Sequence, residues 1–186
     1  MKGLVCIVLG ATACLLDGRV SAQTGDILQN AINTPGVSYS VYGAGQTNKP
    51  VKADVVGGHA LQITIPAATP NVWDVGASSP ITKPIAKGDK IVIAFWVRAP
   101  KLKADATTPI SFAGVALAAA PYTPLVSGSA NVGRDWKLEH IAGIAAADAA
   151  GGTAMVSLHL GAAKAMLEFG PVFVLDLGKA GRSKSS

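Results

Sequence analysis

Residues 90–98 alternate at period two. Ile91, Ile93, Phe95 and Val97 fall on one side, and Lys90, Val92, Ala94, Trp96 and Arg98 on the other. That pattern, rich in β-branched and aromatic residues and closed by Pro100, predicts a strand with one wholly apolar face. Gly88 and Asp89 predict the turn that feeds it. Similar alternation predicts strands over 37–42, 60–65, 136–144 and 153–160, and Val72 to Val75 reads as a short strand. Segments 165–169 and 172–177 read as a closing pair. Segment 110–118 is rich in alanine, but Gly114, its shortness and Pro121 favour strand over helix. Gly, Pro and Asn mark loops over 43–54, 66–71, 101–109, 121–124 and 145–152, and Pro80 and Pro84 bracket the approach to the central strand. Short strands punctuated in this way, with no convincing amphipathic helix, predict an all-β fold: a β-sandwich or jelly roll of two antiparallel sheets.

The ends of the chain change this picture. Lys2, the apolar run 4–16 and the small-residue motif Val20-Ser21-Ala22 predict a signal peptide over 1–22. The run is too short to span a bilayer and is broken by Asp17, Gly18 and Arg19, so no membrane span is expected. Residues 23–178 then form one β-sandwich domain, and 179–186 a polar tail. The protein is expected to be secreted or periplasmic. Both cysteines, Cys6 and Cys14, lie in the predicted leader, so the mature domain is expected to fold without a disulfide.

The formal charge is +5. Its lysines and arginines are scattered except for Lys179, Arg182 and Lys184, and no stretch interleaves clustered cations with aromatics. A nucleic-acid groove is therefore not expected. The three histidines, His59, His140 and His159, are far apart and show no metal-binding spacing. Glycoside hydrolysis requires two carboxylates at a defined separation. Beyond the leader there are Glu139, Glu168 and aspartates mostly at turns, with no nucleophile elbow, phosphate loop or zinc motif. A non-catalytic protein is expected.

A set of ordered segments points to a family. Segments 55–63, 72–75, 85–89, 93–98, 132–136 and 158–161, with Pro121-Tyr122, resemble the jelly-roll carbohydrate-binding modules of the family 4/9 type, as found on the N-terminal side of secreted xylanases. The resemblance spans roughly 55–178. It implies binding of a polysaccharide chain, xylan- or glucan-like, in a groove on one sheet, through aromatic and polar side chains. It also implies partnership with a secreted glycoside hydrolase and admits a structural calcium, for which Asp26, Asp54, Asp148 and Asp176 are the oxygen sources.

Each candidate ligand contact has two readings. Trp96 offers an indole face to a pyranose, or is covered by a loop. Arg98 beside it donates to sugar hydroxyls, or caps the sheet edge. Trp73 divides between groove and core, and Trp136 reads as core beside Leu138. Tyr122, on a proline-flanked loop, presents a rigid ring or packs that loop down. His159 with Ser157, and Gln62 with Thr64, share outward strand faces and carry groups that both donate and accept. Polar residues on a solvated sheet also need no function. Two function classes follow: a secreted carbohydrate-binding module, or a structural or envelope-associated β-sandwich without a sugar groove.

Overall fold

The structure is a computed structural model and describes residues 28–179. The predicted signal peptide and residues 180–186 lie outside the described residues. Two five-stranded antiparallel sheets pack face to face. The first has the order β1 (Ser40–Tyr42), β4 (Gly76–Ile81), β11 (Ala154–His159), β7 (Phe112–Leu117), β8 (Pro124–Val126). The second has β10 (Lys137–Ile144), β5 (Asp89–Arg98), β12 (Ala165–Lys179), β3 (His59–Ile65), β2 (Thr47–Lys52). A small ribbon pairs β6 (Thr108–Ile110) with β9 (Ala130–Val132). This is the expected all-β jelly roll.

The alternating pattern determines which faces meet. Ile91, Ile93, Phe95 and Val97 of β5 are fully buried, as are Ile63, Phe169, Val172 and Val174 from its own sheet. Facing them are Ala77 and Ile81 of β4, Ala113 and Val115 of β7, and Val156 and Leu158 of β11. At about 25 cal/mol per Å2 of apolar surface removed from water, this shared layer is the main stabilising term. The predicted turn into β5 is present. Gly88 has φ +88, and the Asp89 carboxylate accepts from the Ala86 amide at 3.0 Å.

Several elements differ from expectation, β8 and β9 among them, since no strand was expected over 124–132. Segment 43–54, read as a loop, contains β2, an edge strand pairing with β3. Nearly all its side chains are exposed, so no apolar alternation marks it. The segment before the central strand contains β4, which lies between β1 and β11. Its Pro80 sits past the end of β1, where β4 has one partner and a missing N–H is tolerated. Segment 72–75 is not a strand but a turn: the Asp74 amide donates to the Asn71 carbonyl, and the Asp74 carboxylate accepts from the Asn71 amide, both at 3.0 Å. The expected closing pair is one long strand, β12, with an irregularity between Phe169 and Val172. The alanine-rich segment is strand, as expected, divided at Ser111 into β6 and β7.

Candidate functional site

In β11 the inward residues Ala154, Val156 and Leu158 join the core, which sends Met155, Ser157 and His159 to the outer face. Strand register places three rows across the sheet there. The first row is Tyr42, Gly76, His159 and Phe112. The second is Ser40, Ser78, Ser157 and Gly114. The third is Pro80, Met155, Ala116 and Pro124. Successive rows are about 7 Å apart, two residues along each strand. Small residues keep the floor low. A Cβ on Gly76 would collide with the Tyr42 ring, and one on Gly114 with the Val126 carbonyl and the Phe112 ring.

Loops raise the walls. The turn before β4 carries Trp73 and is tied down where Gly161 donates to the Val72 carbonyl at 2.9 Å and Thr69 donates to the Gly161 carbonyl at 2.8 Å. Trp73 stands edge-on to His159 with ring centroids 6.4 Å apart, and Phe112 lies 4.8 Å from the same imidazole. The opposite wall is the loop between β7 and β8, with Pro121 and Tyr122. Tyr122 has φ +56, a left-handed conformation unfavourable for a bulky residue and seen at functional sites. Trp73 and Tyr122 are each 56 % exposed and Tyr42 40 %. The result is a groove of about 620 Å3.

The groove is uncharged. Among the described residues no Asp, Glu, Lys or Arg lines it. Its polar groups are the hydroxyls of Tyr42, Ser78, Tyr122 and Ser157, the imidazole of His159 and the indole N–H of Trp73. Burial lowers the pKa of His159, so the ring is neutral at pH 7 and one nitrogen donates while the other accepts. Burial also raises the Tyr42 pKa. Ser157 opposes that rise, and Tyr122 adds to it. The Tyr42 phenol therefore stays a protonated donor.

The six expected contact residues divide between two faces. Trp73, Tyr122 and His159, with Ser157, meet in this groove. Trp96, Arg98 and Gln62 belong to the second sheet, so the one-sheet groove implied by the resemblance cannot gather all six. The reason is pairing. β5 and β11 belong to different sheets, and residues pointing away from a common core face opposite directions. Arg98 donates from Nε to Glu168 at 2.7 Å, and Gln62 donates to the other Glu168 oxygen at 2.8 Å. The Arg98 guanidinium lies 4.6 Å from the centre of the Trp136 ring. Trp136 is thus half-buried beneath Arg98 rather than in the core. Trp96 is half-buried opposite Leu138, its Cβ close to where a Cβ on Gly170 would stand.

Tyr42, Phe112, Ser78 and Met155 were not singled out from the sequence. The parity of 37–42 already put Tyr42 opposite Val37, Tyr39 and Val41, a usable signal. Phe112 and Ser78 lay in segments whose strand boundaries were not legible. For calcium, no three His, Asp or Glu side chains converge among the described residues. Asp148 accepts from the Lys87 amide and Asp176 from the Gly178 amide, each at 2.7 Å, as turn-holding groups.

No protein-family model matches the chain, and no curated protein does. Solved structures do. The chain is similar to a CBM4 carbohydrate-binding module at 20 % identity, with 81 % of this chain and 99 % of that one covered and a TM-score of 0.56. The second N-terminal cellulose-binding domain of Cellulomonas fimi β-1,4-glucanase C matches at 20 % identity, 81 % and 96 % coverage and TM-score 0.58. The CBM22-1 xylan-binding domain from Paenibacillus barcinonensis matches at 14 % identity, 81 % and 94 % coverage and TM-score 0.53. The fold of this chain is the jelly roll of such modules.

Proposed function

We propose that the groove on the β1–β4–β11–β7–β8 sheet binds a neutral polysaccharide chain, and that the protein is a non-catalytic carbohydrate-binding module. One observation carries the reading: three exposed aromatic rings, Tyr42, Trp73 and Tyr122, stand around an uncharged groove on one sheet. A pyranose has a flat face of C–H bonds that packs on an aromatic ring, while hydroxyls at its rim exchange hydrogen bonds with Ser, Tyr and neutral His. An uncharged lining suits a neutral chain because no ionic group is desolvated on binding. The binding modules that share the fold support the class of ligand, and the leader-like N-terminus supports action outside the cytoplasm. Among the described residues no carboxylate lines the groove, so these side chains offer no acid–base pair for glycoside hydrolysis.

Trp73 and Tyr122 are the primary stacking platforms in this reading, and His159 and Ser157 supply hydrogen bonds from the floor. A few stacked rings with compensated hydrogen bonds give a Kd on the order of 10 μM to 1 mM. The test is calorimetric titration of neutral xylo- and gluco-oligosaccharides into the mature protein and into Trp73→Ala. Saturable binding that the variant loses supports the reading. Absence of binding to every neutral glycan tried, or equal binding by the variant, overturns it.

A further inference from the structure

The groove is short of the groups that read a free diol. Among the described residues its lining contains no Asn, Gln, Asp, Glu, Lys or Arg, so no such side chain makes a paired contact with two neighbouring hydroxyls. What it has instead is an ordered split. The row through Ser78 and Ser157 carries hydroxyl donors, and the next row, two residues along the strands, is apolar: Met155 beside Ala116, with Pro124 beyond. Ala118 and Pro121 extend the apolar patch toward Tyr122.

From this arrangement we infer that the site prefers a neutral polysaccharide whose hydroxyls are partly masked as small acyl esters, with O-acetyl groups the simplest case. The inference rests on the polysaccharide-binding reading and specifies its ligand. An ester carbonyl accepts but cannot donate, which matches hydroxyl donors such as Ser78, Tyr42 and Tyr122. Its methyl group needs an apolar seat a few ångströms away, which the Met155–Ala116 row provides. A free hydroxyl turned toward that row would lose its water and find no partner, a cost an ester does not incur.

The ester is discriminated by the burial of one methyl, worth about a fourfold gain in affinity for each acyl group seated. The experiment is titration of an O-acetylated neutral xylo- or manno-oligosaccharide preparation, and of the same preparation after mild alkaline deacetylation, against the full mature protein. The acetylated form should bind at least fourfold more tightly. Met155→Gln places an amide in the apolar row and should bring the ratio of the two affinities toward one. A thermal melt of Met155→Gln establishes that it is folded. Equal or tighter binding of the deacetylated form would overturn the acyl preference and leave polysaccharide binding standing. Absence of binding by both forms would overturn both. A preference retained in folded Met155→Gln would overturn the seat assigned to the methyl.

Discussion

The outer faces of the two sheets contain similar residues in different states of satisfaction. On the second sheet Arg98, Glu168, Gln62 and Trp136 answer one another: two hydrogen bonds converge on one carboxylate, and the guanidinium stacks on an indole. On the first sheet Trp73, Tyr42 and Tyr122 stand open around a groove lined by hydroxyls and an imidazole. An outward aromatic therefore signals different things on the two faces. What separates structure from recognition is whether a side chain's partners are already inside the molecule.

The largest expected effect comes from breaking the satisfied face. Glu168 is 5 % exposed and pairs with Arg98, so Glu168→Ala leaves a partly buried guanidinium and the Gln62 amide without their acceptor. Removing one member of a buried pair costs 3–5 kcal/mol, and Arg98 is partly solvated, so about 2 kcal/mol is expected. Urea and thermal melts should register that loss, the latter as a fall of roughly 6 °C. Glycan affinity should stay unchanged, since the groove is on the other sheet.

A comparable loss should follow from adding one carbon under the groove. Gly114→Ala drives a Cβ into the Val126 carbonyl and the Phe112 ring, and such overpacking costs about 2 kcal/mol. Unlike Glu168→Ala, it should also weaken binding, because β7 must shift and take Phe112 with it. A variant melting like wild type would mean that the groove floor has slack.

Trp73→Ala reverses the balance. The ring is more than half exposed, so the melt should barely move, while glycan affinity should fall about tenfold, equivalent to ~1.4 kcal/mol. Trp96→Ala, on the opposite face, should leave affinity where it was. If Trp96 and Trp73 exchange these outcomes in titration, the ligand lies on the second sheet.

Much of this division was legible in the sequence, and the illegible part has a physical cause. Period-two alternation identified the inward face of β5 residue by residue, because side-chain direction in a strand follows from parity alone. The same parity gave His159 and Ser157 as outward. It could not say which sheet each strand joins, since that depends on hydrogen-bonded pairing between segments far apart in the chain. Trp96 and His159 were accordingly both candidates for a groove on one sheet, and lie on two. β2 was missed because an exposed edge strand such as Thr47–Lys52 has no buried face to pattern. β4 was missed because Ala, Ser and Pro dominate it. Trp73 was expected in a strand because Val72 and Val75 flank it, although Asn71 and Asp74 hold the backbone in a turn.

The smallest expected effect is in pH, and it tests whether His159 belongs to the open face or is merely packed there. Its imidazole lies against Phe112 and near Trp73, and burial lowers its pKa below the usual 6.5. The unfolded chain takes up that proton near pH 6.5, the folded protein only at lower pH. The stabilising contribution of the neutral ring is therefore complete above pH 6.5 and is lost as pH falls through the folded value. The groove lining provides no charged group to offset the new cation. Protonation also removes the ring's acceptor, so a sugar hydroxyl that donates to His159 loses its partner over the same range. His159→Phe cannot titrate. Melts and titrations of wild type and variant from pH 8 down to pH 5 should show the wild type losing melting temperature and affinity below pH 6.5, and the variant losing less of both. A pH-dependent melt with pH-independent affinity would make His159 a packing residue of the groove wall. If the two proteins respond alike in both measurements, the proton is taken up elsewhere.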